Sequence, residues 1–512
     1  MGRVTNQRTL WLCLRLCLGL LASGFLGGCG DSPLSARYAA EKLLWSGRSL
    51  ERRFWNNPEA ASEERLGAEA AYRQVLSDYP LTRVAGDARE TLSLTRTRVM
   101  AAITLARLDR RAGRTGAAAR VLYDMRSEAN TEVDTGLLVH MELVQLLRQP
   151  SQRDSLAAVL REITEDLPPA DENGAPIPLV LEAPLRLVEL EESRGNAAAA
   201  ASELAQAQIY YSDVAAKHPG SDVEVAATIE RAKTEIKQGR MRDAAATLSG
   251  ARSLPNARRF EPTLIYSSGN LALQGLGDAR GGLDQYRELI RRFPDDPNSP
   301  EAALQIGVAW SSLGEIDSAL AAFDFTEKRY SRAPNQAAQA RLAGARVLSL
   351  EKRWPEALRR LRGLQTDYPR TPAGLVAPVE IAAYYDRMGE AEASRTALEA
   401  AVGTYDGSLR ELLASPDQAE AASLTFEHLA DAHERLAQWD RAVEVLLARA
   451  DRFPADPAAV RGMFRAAAIL EQKLGDRARA ADTLEKLAER YPDLPTAERA
   501  RARASELRGA SS

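Results

Sequence analysis

Ser299–Pro334 reads SPEAALQIGVAWSSLGEIDSALAAFDFTEKRYSRAP, and its spacing decides the fold. Leu304, Gly307, Val308, Ser311 and Ser312 recur at helical intervals, with Trp310 on the same side. Leu313-Gly314-Glu315 breaks the pattern, because glycine tolerates the left-handed geometry of a helix end. Asp317 opens a second helix whose Ala319, Phe323 and Thr326 face inward. The stretch is therefore a helical hairpin.

The hairpin recurs. Phe293-Pro294, Tyr368-Pro369, Phe453-Pro454 and Tyr491-Pro492 each end a unit, and Tyr330 and Tyr405 end units without the proline. Successive aromatics from Phe293 to Tyr491 lie 37, 38, 37, 48 and 38 residues apart, the long step holding an insertion near Asp406 to Gln418. Tyr79-Pro80 and His218-Pro219 give the same signal earlier. Small residues keep phase with them: Ala244, Gly282, Ala319, Ala357, Ala442 and Ala480 fall where the second helix must approach the first. A single hairpin cannot bury its apolar stripe, whereas a stack buries a continuous one.

Gly307, Trp310, Gly314, Ala319 and Phe323 stand at the spacing of the tetratricopeptide repeat, which the stretch resembles. The resemblance implies an all-α fold, a right-handed superhelical solenoid of tetratricopeptide-like hairpins. It also implies a groove lined by first helices that binds partner proteins or extended peptides.

The N-terminus carries an address. Arg3, Arg8 and Arg15 precede Leu16 to Phe25, an apolar run too short to span a bilayer. Leu26-Gly27-Gly28-Cys29 follows. The order resembles a bacterial lipoprotein signal, which implies cleavage before Cys29 and acylation of its thiol. Gly30, not Asp, follows the cysteine, and the resemblance then implies the outer membrane, on its periplasmic face. Several acyl chains, each worth about 0.8 kcal/mol per buried methylene, give a stable anchor. Cys13, Cys17 and Cys29 are the only cysteines, so the chain after Cys29 has none for a disulfide, a zinc site or a nucleophile. With 67 basic and 71 acidic residues the net charge is −4, too balanced to indicate nucleic acid as a partner.

These signals divide the chain into a signal peptide (1–28), a lipidated tether (29–35), degenerate hairpins (36–167), a Pro-rich interruption (168–178), a regular array (179–492) and a capping helix with its tail (493–512). A helical region is expected from Ala36, with hairpins turning at Gly113 and at Gln149-Pro150. Pro168 to Pro178 cannot be helix, since proline lacks the amide donor. A long second helix is expected over Asn196 to Lys217. From Ser221 the array reads as regular, with turns at Gly239, Gly277, Gly314, Trp354-Pro355, Gly389, Trp439 and Gly475.

Chemistry is sparse. His428 and His433 are five apart and cannot share a metal as an i, i+4 pair would. His140 reads as a packing residue, and His218 fills the aromatic slot before a proline. Asp171-Glu172-Asn173-Gly174 lacks the alternating oxygens of a calcium loop. No GxSxG, HExxH or phosphate-binding GxxxxGK[ST] motif occurs. No catalytic residue, metal or cofactor is expected. The placement of Trp310, Trp354 and Trp439 reads as packing, while Trp45 and Trp55 lie near the anchor, outside the repeat register, where contact with lipid or a membrane partner and simple packing are both open. Carried over by register from the family, the groove residues are Leu304, Val308 and Ser311, then Leu342, Arg346 and Ser349, then Asp386 and Arg387. Glu427, Asp431, Glu434 and Arg435 follow, then Arg465, Ile469 and Lys473, so the groove runs from apolar to charged.

Taken together, the repeats and the lipid signal resemble tetratricopeptide-repeat lipoproteins of the bacterial envelope. The style is that of the β-barrel assembly machinery lipoprotein and the Tol-Pal coordinator. The resemblance implies a non-catalytic, membrane-anchored scaffold binding envelope proteins during envelope or outer-membrane assembly. A polysaccharide- or peptidoglycan-binding module in export or division is the alternative, and it requires aromatics exposed in the groove.

Overall fold

The computed structural model describes residues 33–56, 62–84, 86–147, 152–414, 418–454, 456–492 and 494–509. Cys29, the leader and the turn expected at Gln149-Pro150 lie outside them. The described residues form 23 α-helices and no strand, with one isolated bridge between Ala170 and Pro176. The fold is thus all-α, built of tetratricopeptide-like hairpins.

The chain divides into two compact units. The first runs to Leu147 and takes in Glu165–Leu167. It contains α1 (Pro33–Asn56), α2 (Ser62–Asp78), α3 (Ala88–Arg111), α4 (Thr115–Ala129) and α5 (Val133–Leu146). The helix expected from Ala36 opens at Pro33, because proline at a first helical position gives up an amide that would have no partner there. Ala40, Leu44, Tyr72, Val75, Leu94 and Leu105 form the core of this unit. A Cβ added to Gly47 would lie 2.6 Å from the Tyr72 ring, so the glycine sets how closely α1 and α2 approach.

The second unit comprises Arg148–Thr164 and Pro168–Ser512. Most of α6 (Arg153–Asp166) belongs to it, followed by an irregular loop in which the Asp171 carboxylate accepts hydrogen bonds from the amides of Asn173 and Ala175. The acidic loop is thereby folded upon itself. Hairpins follow: α7 (Pro178–Ser193) with α8 (Ala197–Lys217), α9 (Asp222–Lys237) with α10 (Met241–Ala251), and α11 (Glu261–Asn270) with α12 (Ala279–Arg292). Next come α13 (Ser299–Ser312) with α14 (Ile316–Arg329), α15 (Pro334–Leu350) with α16 (Trp354–Asp367), and α17 (Pro372–Arg387) with α18 (Ala391–Leu412). The last are α19 (Ala419–Arg435) with α20 (Trp439–Arg452) and α21 (Pro457–Gln472) with α22 (Arg477–Arg490), before a single α23 (Pro495–Gly509). Ala497, Ala500, Ala504 and Leu507 of α23 are buried against the preceding hairpin.

The regularity expected from Ser221 fails between α10 and α12. There α10 stops at Ala251 and Ala257–Phe260 is a 3-10 turn, while α11 passes into a π turn at Leu271–Gly275. Pro255 and Pro262 withhold amide donors in this stretch, so no uninterrupted helix can run through it.

One aromatic slot organises the second helices. Tyr211, Phe293, Tyr330, Tyr368, Tyr405, Phe453 and Tyr491 each stand at the fourteenth residue after the first residue of their helix. At Phe293, Tyr330, Tyr368, Phe453 and Tyr491 the helix ends there. Tyr405 does not end its unit: α18 continues to Leu412 and takes up much of the expected insertion. Tyr211 behaves likewise within α8. No proline follows either tyrosine, which leaves the amide ladder free to proceed with the ring inside the helix pair; Tyr330 also lacks a following proline yet ends its helix, so the missing proline permits the extension without dictating it. Tyr211 donates to the Leu181 carbonyl and Tyr405 to the Leu375 carbonyl, at 2.6 and 2.7 Å. Burial pushes both phenols well above their ordinary pKa.

The turns keep a second register. A left-handed residue stands two positions before each second helix from α8 to α22, as Gly314 (φ 76°) does before Ile316. Lys352 (φ 59°) and Ala437 (φ 57°) hold that place before Trp354 and Trp439. The turns expected at those tryptophans therefore centre two residues earlier, on side chains that pay a steric penalty in this conformation. Ala437→Gly should stabilise its hairpin by about 1 kcal/mol. Slower amide exchange in α19 and α20 would register the gain, and unchanged exchange would count against it.

Candidate docking groove

First helices α13, α15 and α17 pack side by side, and their exposed faces bound a groove of about 720 Å³. Leu304, Val308, Ser311 and Ser312 come from α13. Gln339, Leu342, Ala343, Arg346, Val347 and Leu350 come from α15, and Pro372, Ala373 and Val376 from α17. Phe323 of α14 closes the floor. Leu304 and Leu342 are nearly buried, whereas Val308 is 39% and Leu350 80% exposed. An apolar rim thus stands open above a packed apolar floor.

The floor follows from the hairpin geometry. Gly307 has no side chain, and Phe323 lies in the space a Cβ would take, 2.3 Å from it. The ring is enclosed by Leu304, Ala319, Leu320, Ala340, Val347 and Leu348. Trp310 stays half-buried beneath the Arg287 guanidinium, 5.1 Å from the ring centroid.

Five of the residues named by register, Leu304, Val308, Ser311, Leu342 and Arg346, meet in this groove. Ser349 does not: it is 6% exposed and turned into the packing. Ile469 is likewise buried, at 6%. Sequence reasoning missed Gln339, Ala343, Leu350 and Val376. A signal existed for Leu350, an apolar residue at the end of α15 next to exposed charges, but a helix end gives no periodicity to place it.

The charged residues named by register are paired in a ladder, some with one another and others with Glu380 and Arg449. Arg346 donates to Glu380 (2.7 Å), which Arg387 also approaches at 3.5 Å. Arg435 pairs with Asp386 and donates to the Val379 carbonyl at 3.0 Å. Burial alone would lift the Asp386 carboxyl, yet hydrogen bonds from Ser394 and Arg435 hold it below the usual carboxylate range. Arg465 pairs with Asp431 and Glu434, and Arg449 with Glu427. Lys473 lies over the Trp439 ring at 5.2 Å. These side chains tie successive repeats together, so the groove's free surface is mainly its apolar part.

The histidines are absorbed by packing. His428 stacks on Tyr405 with centroids 6.1 Å apart, and burial lowers its pKa. His433 Nδ1 meets Gln438 Oε1 at 2.7 Å. Among the described residues no group of three or more His, Cys, Asp or Glu is placed to hold a metal ion.

Repeated hairpins and a groove on first helices define an all-α helical-repeat protein. Its residues 461–494, from α21 through α22, match the tetratricopeptide repeat family. Among solved structures the chain is similar to yeast Tom70, at 12% identity over 93% of this chain and 96% of that one, TM-score 0.40. It is also similar to a tetratricopeptide repeat protein from Parabacteroides merdae, at 15% identity over 64% and 98%, TM-score 0.27. A third is the signal transduction ATPase with a tetratricopeptide repeat sensor from Pyrococcus horikoshii, at 13% identity over 67% and 53%, TM-score 0.39. No curated protein matches the chain in sequence.

Proposed function

We propose that this protein is a non-catalytic scaffold of the bacterial envelope. It is held at the periplasmic face of the outer membrane by acyl chains on Cys29, and it docks envelope proteins through the groove of α13, α15 and α17. The observation that carries the docking reading is the open apolar rim of Val308 and Leu350 over a floor closed by Phe323. Such a trough suits an extended segment with alternating apolar side chains, since the bordering charges are already paired. Its lining includes one aromatic, Phe323, which is 1% exposed and presents no face for stacking on a sugar. The peptide reading is preferred over the glycan reading for that reason.

A photo-reactive residue at position 350 of the membrane-bound chain should cross-link to an apolar segment of an envelope protein. Val308→Asp with Leu350→Asp should weaken capture by tenfold or more while helix content stays constant, because burying either carboxylate against the floor is unfavourable. Capture that is unaffected by both changes, or cross-linking to glycan alone, would refute the docking mode. Palmitate labelling that survives Cys29→Ala would refute the anchor.

A further inference from the structure

The first helix, α1, carries a second surface unrelated to the groove. Ala36, Ala40 and Leu44 are buried, Leu43 and Leu50 pack against the same core, and Glu51 accepts from the Tyr72 hydroxyl. The opposite side is open. Tyr38 is 67% and Trp45 66% exposed, and Lys42, Ser46, Arg52 and Arg53 are exposed with them. At about 100° per residue, Tyr38, Lys42, Trp45, Ser49, Arg52 and Arg53 fall within an arc of roughly 100°. No acidic residue lies in that arc. Glu41, on its edge, is engaged by Arg37 at 3.4 Å. Among the described residues no carboxylate lies within salt-bridge distance of Lys42, Arg52 or Arg53, whereas Arg37 reaches Glu90 at 3.2 Å.

We infer that this face of α1 lies against an anionic phospholipid bilayer. Tyrosine and tryptophan place apolar rings and a polar edge at headgroup depth, and the three cations meet lipid phosphates. The position of the helix supports that occupant. Pro33 opens α1 four residues after Cys29, and four extended residues reach at most about 14 Å. In that span the inference rests on reading Cys29 as the lipid anchor. A helix of 24 residues, about 36 Å long, is then delivered to the headgroup layer by its own tether. Lying along the surface gives the anchored chain a fixed attitude, which acyl chains on one thiol do not supply.

The test uses the chain from Gly30 to Ser512, which contains every described residue and has no thiol to acylate. It should co-sediment with vesicles of equimolar phosphatidylcholine and phosphatidylglycerol and much less with phosphatidylcholine alone, and rising salt should release it. Lys42→Gln, Arg52→Gln and Arg53→Gln should each weaken partitioning about fivefold. Tyr38→Ser with Trp45→Ser should weaken it further without changing salt dependence. Circular dichroism checks that each variant remains helical, as exposed positions should. Equal binding to both vesicle types, no binding, or a triple Gln variant that binds like the parent would overturn the inference. Palmitate labelling of the full chain reads the anchor separately. Labelled chains whose Gly30–Ser512 form ignores vesicles would remove the stripe and leave the anchor; unlabelled chains with intact vesicle binding would do the reverse.

Discussion

Gly307→Ala should loosen the hairpin of α13 and α14 by about 2 kcal/mol, a roughly thirtyfold rise in amide exchange across both helices. The added Cβ would lie 2.3 Å from a ring carbon of Phe323, far inside contact distance. An exposed ring would swing aside at little cost. Phe323 is 1% exposed and enclosed by the apolar side chains of α13, α14 and α15, so its displacement moves several neighbours. Overpacking of this kind typically costs about 1–3 kcal/mol. Phe323→Leu should restore part of the loss when combined with Gly307→Ala, although alone it leaves a cavity and destabilises. A double variant as loose as the sum of the single changes would show that the two sites do not meet. Because Phe323 also floors the groove, Gly307→Ala should weaken peptide capture as well. In a repeat array the loss should stay local, so exchange at α21 and α22 is the internal control.

The hairpin register was legible because it rests on residue size. A small residue on one helix, a bulky one on the next and a left-handed turn between them leave marks at fixed spacing. The marks misled where one residue type served two ends. Tyr405 occupies the aromatic slot like Tyr330, and proline follows neither, yet α14 ends at Tyr330 and α18 runs on to Leu412. The turns at Lys352 and Ala437 were hidden because neither is glycine, although two positions before the second helix would have found both. The charged side of the groove shows a different limit. Sequence displays a charge but not its partner. Arg346 with Glu380 and Arg465 with Asp431 stand 34 residues apart, about one repeat, on neighbouring first helices. Opposite charges one period apart on the same helix face were the signal that the ladder holds repeats together.

The clearest case is Arg449. It is 3% exposed on α20, and three groups hold its guanidinium: Ser423 Oγ accepts from Nε at 3.0 Å, Glu427 pairs with Nη1, and Asp456 accepts from Nη2 at 3.1 Å. Those partners come from the first helix before it and from the loop leading into α21, so one side chain fixes two successive hairpins. Asp456 further accepts from Ser423 and from the amide of Ala458, and these donors hold its carboxyl below the usual range against the effect of burial. Arg449→Met keeps most of the volume and removes the charge. Uncompensated buried partners ordinarily cost about 3–5 kcal/mol. Glu427 and Asp456 retain 37% and 26% side-chain exposure, and water relieves part of that penalty. The expected loss is therefore about 2–3 kcal/mol, read as accelerated exchange in α19 to α21. The sign with pH follows from the lowered Asp456 pKa. Its contribution is present above the unfolded carboxylate value, about 3.9, and disappears as pH falls through the folded value. Arg449→Met should consequently flatten the acid limb of local stability. A Met variant with the parent's exchange rates would mean that the guanidinium is replaceable by packing alone, and the ladder would then be a consequence of the stacking of these repeats instead of one of its causes.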